Sequence, residues 1–282
     1  NLEKDFKGFK LDKVSFSLER GYMMGFIGPN GAGKSTTIKL IMNLLKKKDG
    51  EVCIFGLDNI RNEREIKSRI GFVYEDNFYY EELTLLEMKQ VLSRFYTQWD
   101  EKKFRHYLDY FQLPGKKKIK ELSKGMKMKY ALTIALSHNA ELLILDEPTS
   151  GLDPIVRREF INILSSVIED GNKAVFFSTH ITSDLDKSAD FITLIHNGRI
   201  LFSQAKDDLL DSCGLVKGGK NVLSEENKNL FIGLKKNQFG FEGLVRDKDS
   251  VKQRLKDKFI LEKPTLEDIL YYFTLKNEES PV

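Results

Sequence analysis

One short stretch near the amino terminus has the residue types and spacing of a phosphate-binding loop. Residues 28–35 fit the pattern G-x-x-x-x-G-K-[ST] and read Gly28, Pro29, Asn30, Gly31, Ala32, Gly33, Lys34 and Ser35. An apolar run that can form a strand precedes them, and a helical pattern follows. The backbone N–H groups of such a loop can surround an anion, Lys34 can reach the β- and γ-phosphates, and Ser35 can bind Mg²⁺. The loop therefore predicts a site for the phosphates of Mg-ATP rather than a plain glycine-rich turn.

Two adjacent carboxylates follow an apolar run in the middle of the chain. Residues 142–145 predict a buried strand, and Asp146 and Glu147 come directly after it. Two acids at the end of a buried strand are costly unless a cation or a reacting water lies there. Together with the phosphate loop, the pair predicts that Asp146 supports Mg²⁺ and that Glu147 polarises the attacking water. The alternative is an exposed strand end with ordinary acids.

One of the four histidines also follows a predicted strand. His180 comes after the run 175–179, and doubly wound sheets gather their ligands at the carboxyl ends of their strands. We therefore expect His180 to contact the γ-phosphate. The other three histidines have no such context and are assigned to the surface or the core: His106, His138 and His196.

The composition is that of an ordinary globular protein. The 282 residues are 41% hydrophobic and 31% charged, and 45 basic residues against 42 acidic ones are too even a balance to favour nucleic acid as the main partner. Cys53 and Cys213 lie in no metal-ligand or redox spacing, which predicts reduced thiols in the cytosol. Because 18 uncharged apolar residues never run together, we expect no membrane-spanning segment.

Short apolar runs alternate with longer amphipathic stretches, which is typical of a layered α/β domain. The predicted strands are 14–18, 22–27, 51–55, 70–74, 142–145, 173–178, 191–196 and 199–203. The predicted helices are 34–46, 85–97, 101–111, 123–137, 154–169 and 182–187. A mainly helical insert is expected at about 79–138, and a capped start to a final helix at 263–268. Because the texture changes after residue 203, we expect a main domain at 1–205 and an accessory region at 206–282.

The order of these motifs resembles that of the nucleotide-binding subunit of an ABC transporter, over residues 1 to about 205. Besides the phosphate loop, Asp146-Glu147 and His180, the chain has a signature-like stretch at 122–126 (LSKGM) and a D-loop at 150–153 (SGLD). The resemblance implies an α/β fold, a P-loop NTPase of ABC type. Such a fold has a RecA-like core sheet, an antiparallel β part, a helical insert and, here, a small C-terminal α+β extension.

The resemblance also implies a role for each site residue. The catalytic residues would be Glu147, His180 and Lys34. Mg²⁺ would be bound by Ser35, Glu75 and Asp146. The nucleotide would be held by Phe6, Gly28, Pro29, Asn30, Gly31, Ala32, Gly33, Lys34, Ser35, Thr36, Glu75, Ser123, Lys124, Gly125, Asp153 and His180.

The chain departs from the family pattern at several positions. Glu75 stands where the family usually has Gln, and it is either a ligand near Mg²⁺ or a surface acid. In the signature, Lys124 and Met126 replace the usual Gly and Gln. The aromatic ring that stacks on adenine in this family would be Phe6 or Phe9, although an aromatic residue at this place can equally belong to the core.

The resemblance implies partners as well. The signature helix faces the nucleotide of a second subunit in this family, so a head-to-tail homodimer or heterodimer would be the catalytic unit. A separate transmembrane permease would hold the protein on the cytoplasmic face of the membrane. Its docking face would lie at Tyr79, Tyr80 and 83–87, residues that alternatively pack the insert. The signature and 264–268 are similar to those of bacterial exporters of drugs, bacitracin-like antibiotics, lantibiotics or peptide toxins, including phenol-soluble modulins.

Three other functions compete with this interpretation. An importer motor has the same motifs. Soluble ABC proteins that act on ribosomes or DNA carry tandem nucleotide domains or a long coiled coil, whereas this chain has one motif set and no sustained heptads. A P-loop kinase for a small molecule would need neither the signature helix nor the D-loop.

Overall fold

A six-stranded, mostly parallel sheet lies at the centre of the computed structural model, which describes residues 1–74, 79–219, 222–255 and 259–278. Its strand order is β10-β9-β3-β8-β7-β6. All neighbouring strands of this sheet pair in parallel except β9 and β10, which pair antiparallel. The strands are β3 (Met23–Ile27), β6 (Ile70–Val73), β7 (Leu142–Asp146), β8 (Ala174–Thr179), β9 (Phe191–His196) and β10 (Arg199–Ala205).

The strands are apolar on both faces because helices cover both sides of the sheet. Alternate side chains of β8 illustrate this: Phe177 packs into a core formed with α5 (Lys124–Leu136) and α6 (Pro154–Ile168). Phe176, which points the other way, packs into a core formed with α1 (Lys34–Ile41). The period of two along each strand thus separates two hydrophobic cores.

Short antiparallel strands cover the α1 side. They are the hairpin β1 (Leu2–Phe6) and β2 (Phe9–Val14) and the pair β4 (Cys53–Ile54) and β5 (Leu57–Asp58), followed by α2 (Glu63–Ser68). The sequence analysis missed the hairpin, and its strand at 14–18 is wrong because strand structure ends at Val14. Residues 15–19 alternate in exposure, with Phe16 stacked on Phe176, but they join no sheet of the described residues.

The insert consists of α3 (Leu85–Leu92), a 3₁₀ turn at 93–95, α4 (Glu101–Tyr110) and the buried α5. Thr84 and Glu87 form a capping box at the start of α3, and the Asp100 carboxylate accepts two backbone N–H bonds at the start of α4. The hydroxyl of the fully buried Tyr130 on α5 donates to the Leu85 carbonyl at 2.8 Å. This hydrogen bond joins α5 to the first turn of α3.

The chain after the sheet forms a second, four-stranded antiparallel sheet of order β12-β13-β11-β14. Its elements are α7 (Lys206–Ser212), β11 (Gly214–Gly219), β12 (Phe231–Lys236), β13 (Gly240–Val245), α8 (Lys248–Leu255), β14 (Phe259–Glu262) and α9 (Leu266–Glu278). Thr265 caps α9 together with Asp268, as the sequence predicts. We propose the division at 205, where β10 ends and α7 begins. In the ranges given above, no helix is long and apolar enough to cross a bilayer.

Tyr130→Phe should lower the free energy of unfolding by about 1 kcal/mol, because the variant loses one buried hydrogen bond and keeps the ring. Urea denaturation monitored by circular dichroism measures the change. Tyr110→Phe on the exposed side of α4 is the matched control and should change stability by less than about 0.5 kcal/mol. Equal losses in the two variants would contradict the structural role of the Tyr130 hydroxyl.

Candidate active site

The loop between β3 and α1 has the backbone conformation of an anion cradle. Gly31 and Gly33 have positive φ angles of 80° and 111°, which favour glycine. A Cβ at Gly28 would lie 2.3 Å from the Ile195 carbonyl oxygen, so only glycine fits there. Gly33 is the N-cap of α1, and the N–H groups of the first helical turn are available to an anion. The backbone of 28–35 therefore leaves room and N–H groups for an anion, and the phosphate contact itself stays a prediction.

Lys34 is buried and joins this loop to the distant carboxylate. Its Nζ donates to the carbonyls of Gly28 at 2.7 Å and Pro29 at 3.2 Å. Lys34 Nζ also forms an ion pair with Glu147 Oε1 at 3.1 Å. Lys34 is 6% exposed and Glu147 7%. Each charge offsets the cost of burying the other.

Asp146 ends β7 beside the phosphate loop. Its Oδ1 accepts from Ser178 Oγ at 2.6 Å, and Ser35 hydrogen bonds to the same carboxyl. Burial raises the pKa of Asp146, and these two hydroxyls oppose that rise. Oxygen atoms of Asp146 and Ser35 therefore meet at one place, and oxygen donors are the ligands that Mg²⁺ prefers. The donor set fits the predicted metal site.

Glu147 is held in a strained conformation against His180. Its φ of 48° lies in the left-handed region, which costs a non-glycine residue about 1–2 kcal/mol. Oε2 lies 2.8 Å from His180 Nδ1 and accepts the His180 backbone N–H at 3.4 Å. The Glu147 N–H donates to the Ser178 carbonyl at 3.1 Å. A buried carboxylate oriented by a lysine and a histidine has the arrangement of a general base.

The signature-like stretch at 122–126 leads into α5, and the D-loop at 150–153 leads into α6. Ser123 caps α5 by accepting the Met126 N–H at 3.2 Å, and Asp153 caps α6 by accepting from Ile155 and Val156. The Lys124 ammonium lies over Gly151, 3.5 Å from where a Cβ would stand. The carboxylate of Asp153, predicted at the nucleotide, is thus engaged at its own helix.

Comparisons with known proteins find similar ABC transporter ATP-binding proteins. The family model described as ABC transporter matches residues 11–150. The bacitracin transport ATP-binding protein BcrA of Bacillus licheniformis is 35% identical over 193 residues, which cover 68% of this chain and 63% of that protein. YcbN of Bacillus subtilis (strain 168), an uncharacterized ABC transporter ATP-binding protein, is 31% identical over 211 residues, covering 74% and 69%. A solved ATP binding subunit of an ABC transporter aligns with a TM-score of 0.68 at 29% identity, covering 74% and 90%.

These likenesses identify the family. The chain belongs to the ABC transporter ATP-binding proteins. The predicted family and fold class are therefore confirmed. The chain spans less than two thirds of the length of BcrA, 63% of it.

Three further residues were predicted at the nucleotide of this ABC transporter ATP-binding protein. Phe6 is 42% exposed, and its ring centroid lies 6.2 Å from that of Phe9. The ring of Phe9 lies beside the phosphate loop, 3.0 Å from where a Cβ on Gly33 would stand. Thr36 lies half-buried on α1. Glu75 lies outside the described residues. The adenine contact of Phe6 or Phe9 stays a prediction.

The remaining histidines fit the expected assignments. His138 is buried and stacks on Tyr96 with ring centroids 3.8 Å apart, and burial lowers its pKa to about 4. His196 is buried beside Asn197, and His106 is exposed on α4.

Two buried residues near Asp146 and Glu147 were not singled out by the sequence analysis. Ser178 bridges β8 to Asp146, and Asp184 accepts a hydrogen bond from Thr149 at 2.6 Å. The predicted helix at 182–187 is wrong, because only a 3₁₀ turn at 182–184 forms. That turn presents Asp184 to the loop that follows Glu147.

Lys34→Ala should weaken binding of a fluorescent ATP analogue at least about tenfold, because the loop loses its charge-assisted phosphate contact. Equilibrium fluorescence titration measures the dissociation constant. Lys46→Ala, an exposed lysine beyond the end of α1, is the control and should bind like the unmodified protein. Unchanged affinity in Lys34→Ala would contradict the phosphate-loop role.

Proposed function

We propose that this chain is the ATP-hydrolysing motor subunit of an ABC exporter. Two nucleotide-binding subunits would close around two Mg-ATP and drive a separate transmembrane subunit that exports drugs, antibiotics or peptides. The observation that carries the proposal is the buried carboxylate of Glu147, contacted by Lys34 of the phosphate loop and by His180. Among relatives, BcrA is named as a bacitracin transport protein, which supports export of an antibiotic or peptide.

In this mechanism the chain's own groups bind ATP and activate water. The triphosphate enters the loop between β3 and α1, and Lys34 exchanges its contact with Glu147 for the β- and γ-phosphates. Glu147 then accepts a proton from the attacking water as the water oxygen bonds to the γ-phosphorus and the bond from that phosphorus to the leaving ADP oxygen breaks. His180, hydrogen-bonded to the same carboxylate, orients that carboxylate and contacts the γ-phosphate. Mg²⁺, held by Ser35 and Asp146, would supply positive charge beside the phosphates.

A second subunit would complete the site. Ser123 is exposed at the N-terminus of α5, where backbone N–H groups and the helix dipole favour an anion. Ser123, Lys124 and Gly125 would face the nucleotide of the partner, in a homodimer or a heterodimer. Ile155, 82% exposed beside the D-loop, supports this face as an interface, since so exposed a large apolar side chain gains from being covered.

The permease would dock on the helical insert. Of the residues predicted there, Tyr79 packs edge-on against Tyr130 and Leu85 is fully buried, so these two build the insert itself. Tyr80 and Leu86 are exposed and remain available to a partner. Such docking would hold the protein at the cytoplasmic face of the membrane.

Glu147→Gln should lower the rate of ATP hydrolysis by roughly 10²–10⁴-fold, because an amide cannot accept the proton of the attacking water. Phosphate release measures the rate, and gel filtration with Mg-ATP should show a trapped dimer. Glu169→Gln, an exposed acid at the end of α6, is the matched control and should hydrolyse normally. A Glu147→Gln protein that stays monomeric and hydrolyses normally would sink the proposal.

Ser123→Arg should abolish hydrolysis while an isolated, dilute copy still binds the fluorescent ATP analogue. The added side chain fills the place of a phosphate of the partner's nucleotide, whereas the copy's own phosphate loop is untouched. Ser224→Arg, an exposed serine in the accessory region, is the control. Full hydrolytic activity of Ser123→Arg would exclude catalysis in trans.

A further inference from the structure

Two loops that leave neighbouring strands are joined twice. The loop after β7 carries Glu147 and the segment after β8 carries His180, and these side chains meet at 2.8 Å. A second hydrogen bond joins the same two segments: Thr149 Oγ1 donates to Asp184 Oδ2 at 2.6 Å. Thr149 stands two residues after Glu147, and Asp184 stands four residues after His180. The second bond thus closes a ring between the same two segments.

The second bond is buried and charged. Thr149 is fully buried and Asp184 is 6% exposed. Burial raises the pKa of Asp184, while the Thr149 hydroxyl and the Arg157 guanidinium favour its ionised form. Arg157 Nε on α6 lies 3.8 Å from Asp184 Oδ1. A short hydrogen bond to a buried carboxylate is stronger than one between neutral groups, so the bond can fix a loop position.

The loop between these bonds needs such a constraint. Glu147 has a positive φ, and a residue in that conformation keeps it only where its surroundings over-determine the backbone. On one side of the ring, Ser150 N–H donates to the Glu147 carbonyl and Leu152 N–H to that of Thr149. On the other side, the 3₁₀ turn closes when Asp184 N–H donates to the Ile181 carbonyl. Moving Asp184 therefore moves the segment that begins at His180.

We propose that Asp184 is a positioning residue for ATP hydrolysis: through Thr149 it holds the loop of Glu147 against the segment of His180. This inference rests on the roles proposed above for Glu147 and His180. Thr149 and Asp184 bond to each other and not to Glu147 or His180. They therefore act on the reacting atoms through the positions of those two residues. A displacement of about 1 Å in a catalytic group can cost about a hundredfold in rate.

A matched double variant distinguishes a positioning role from a merely structural role, because it separates the effect on stability from the effect on kcat. Thr149→Val and Asp184→Leu each keep the side-chain shape. Thr149→Val leaves the Asp184 carboxylate without its hydroxyl donor, and Asp184→Leu leaves the Thr149 hydroxyl unpaired and removes the anion beside Arg157. The double variant replaces the Thr149–Asp184 pair by two apolar groups of similar shape, so it avoids the unpaired Thr149 hydroxyl of Asp184→Leu. It restores the packing but not the directional bond.

The experiment compares Thr149→Val, Asp184→Leu and the double variant in the full chain. Each single variant should lower kcat about ten- to a hundredfold, with KM and affinity for the fluorescent ATP analogue within about twofold of the unmodified protein. The double variant should have a Tm above that of Asp184→Leu and keep the low kcat of the single variants. Thr149→Ser, which retains the hydroxyl, should recover most of kcat. Ser183→Ala, an exposed change on the same 3₁₀ turn, is the control.

Recovery of kcat together with Tm in the double variant would overturn the proposal, as would an unchanged kcat in a single variant. If the single variants do not fold, the double variant and Thr149→Ser carry the test alone. Glu147→Gln is measured in parallel: normal hydrolysis there would refute the proposed function. Loss of hydrolysis in Glu147→Gln with an unimpaired Thr149→Val would refute only the role of Asp184.

Discussion

The carboxylate of Glu147 sits almost out of contact with water, and a buried negative charge is tolerated only beside a compensating group. Here Lys34 lies against one oxygen and His180 against the other. Neither partner is near Glu147 in sequence. The fold must therefore bring three remote segments to one point, and most of the architecture can be understood from that requirement.

The parallel sheet meets this requirement. β3, β8 and β7 are neighbours, and the carboxyl ends of parallel strands share one edge. Lys34 follows β3, Glu147 follows β7 and His180 follows β8, so the three groups meet at that edge. Ser178 adds a cross-strand hydrogen bond to Asp146 at the same level. The strand order thus selects which side chains become partners.

Among the described residues, the insert and the accessory region pack against the sheet. Within the insert, α5 begins after the exposed Ser123, and its Tyr130 holds the start of α3 through one buried hydrogen bond. The accessory region joins the apolar core on the α5 and α6 side of the sheet, where Phe202 of β10 packs edge-on against Phe273 of α9 with centroids 4.9 Å apart.

The sequence by itself determined the chemistry of the site, because that chemistry is written in local patterns. Gly28–Lys34, Asp146-Glu147 and His180 could be found since a phosphate loop needs consecutive residues and a buried strand shows as an apolar run. The prediction of a strand at 14–18 was wrong for a related reason: alternation reveals an extended chain, but not whether another strand pairs with it. Likewise, a helical pattern at 182–187 could not show that the chain turns after three residues.

Only the tertiary structure decided which distant groups meet. Thr149 and Asp184 are ordinary residues in sequence, and their bond exists because β7 and β8 lie side by side and the 3₁₀ turn directs the carboxylate inward. The four-stranded sheet after residue 205 is likewise a matter of long-range pairing between short, glycine-interrupted segments. The type of a residue determines the chemistry that its side chain can perform. Strand order and the path of the loops determine which other groups that side chain meets.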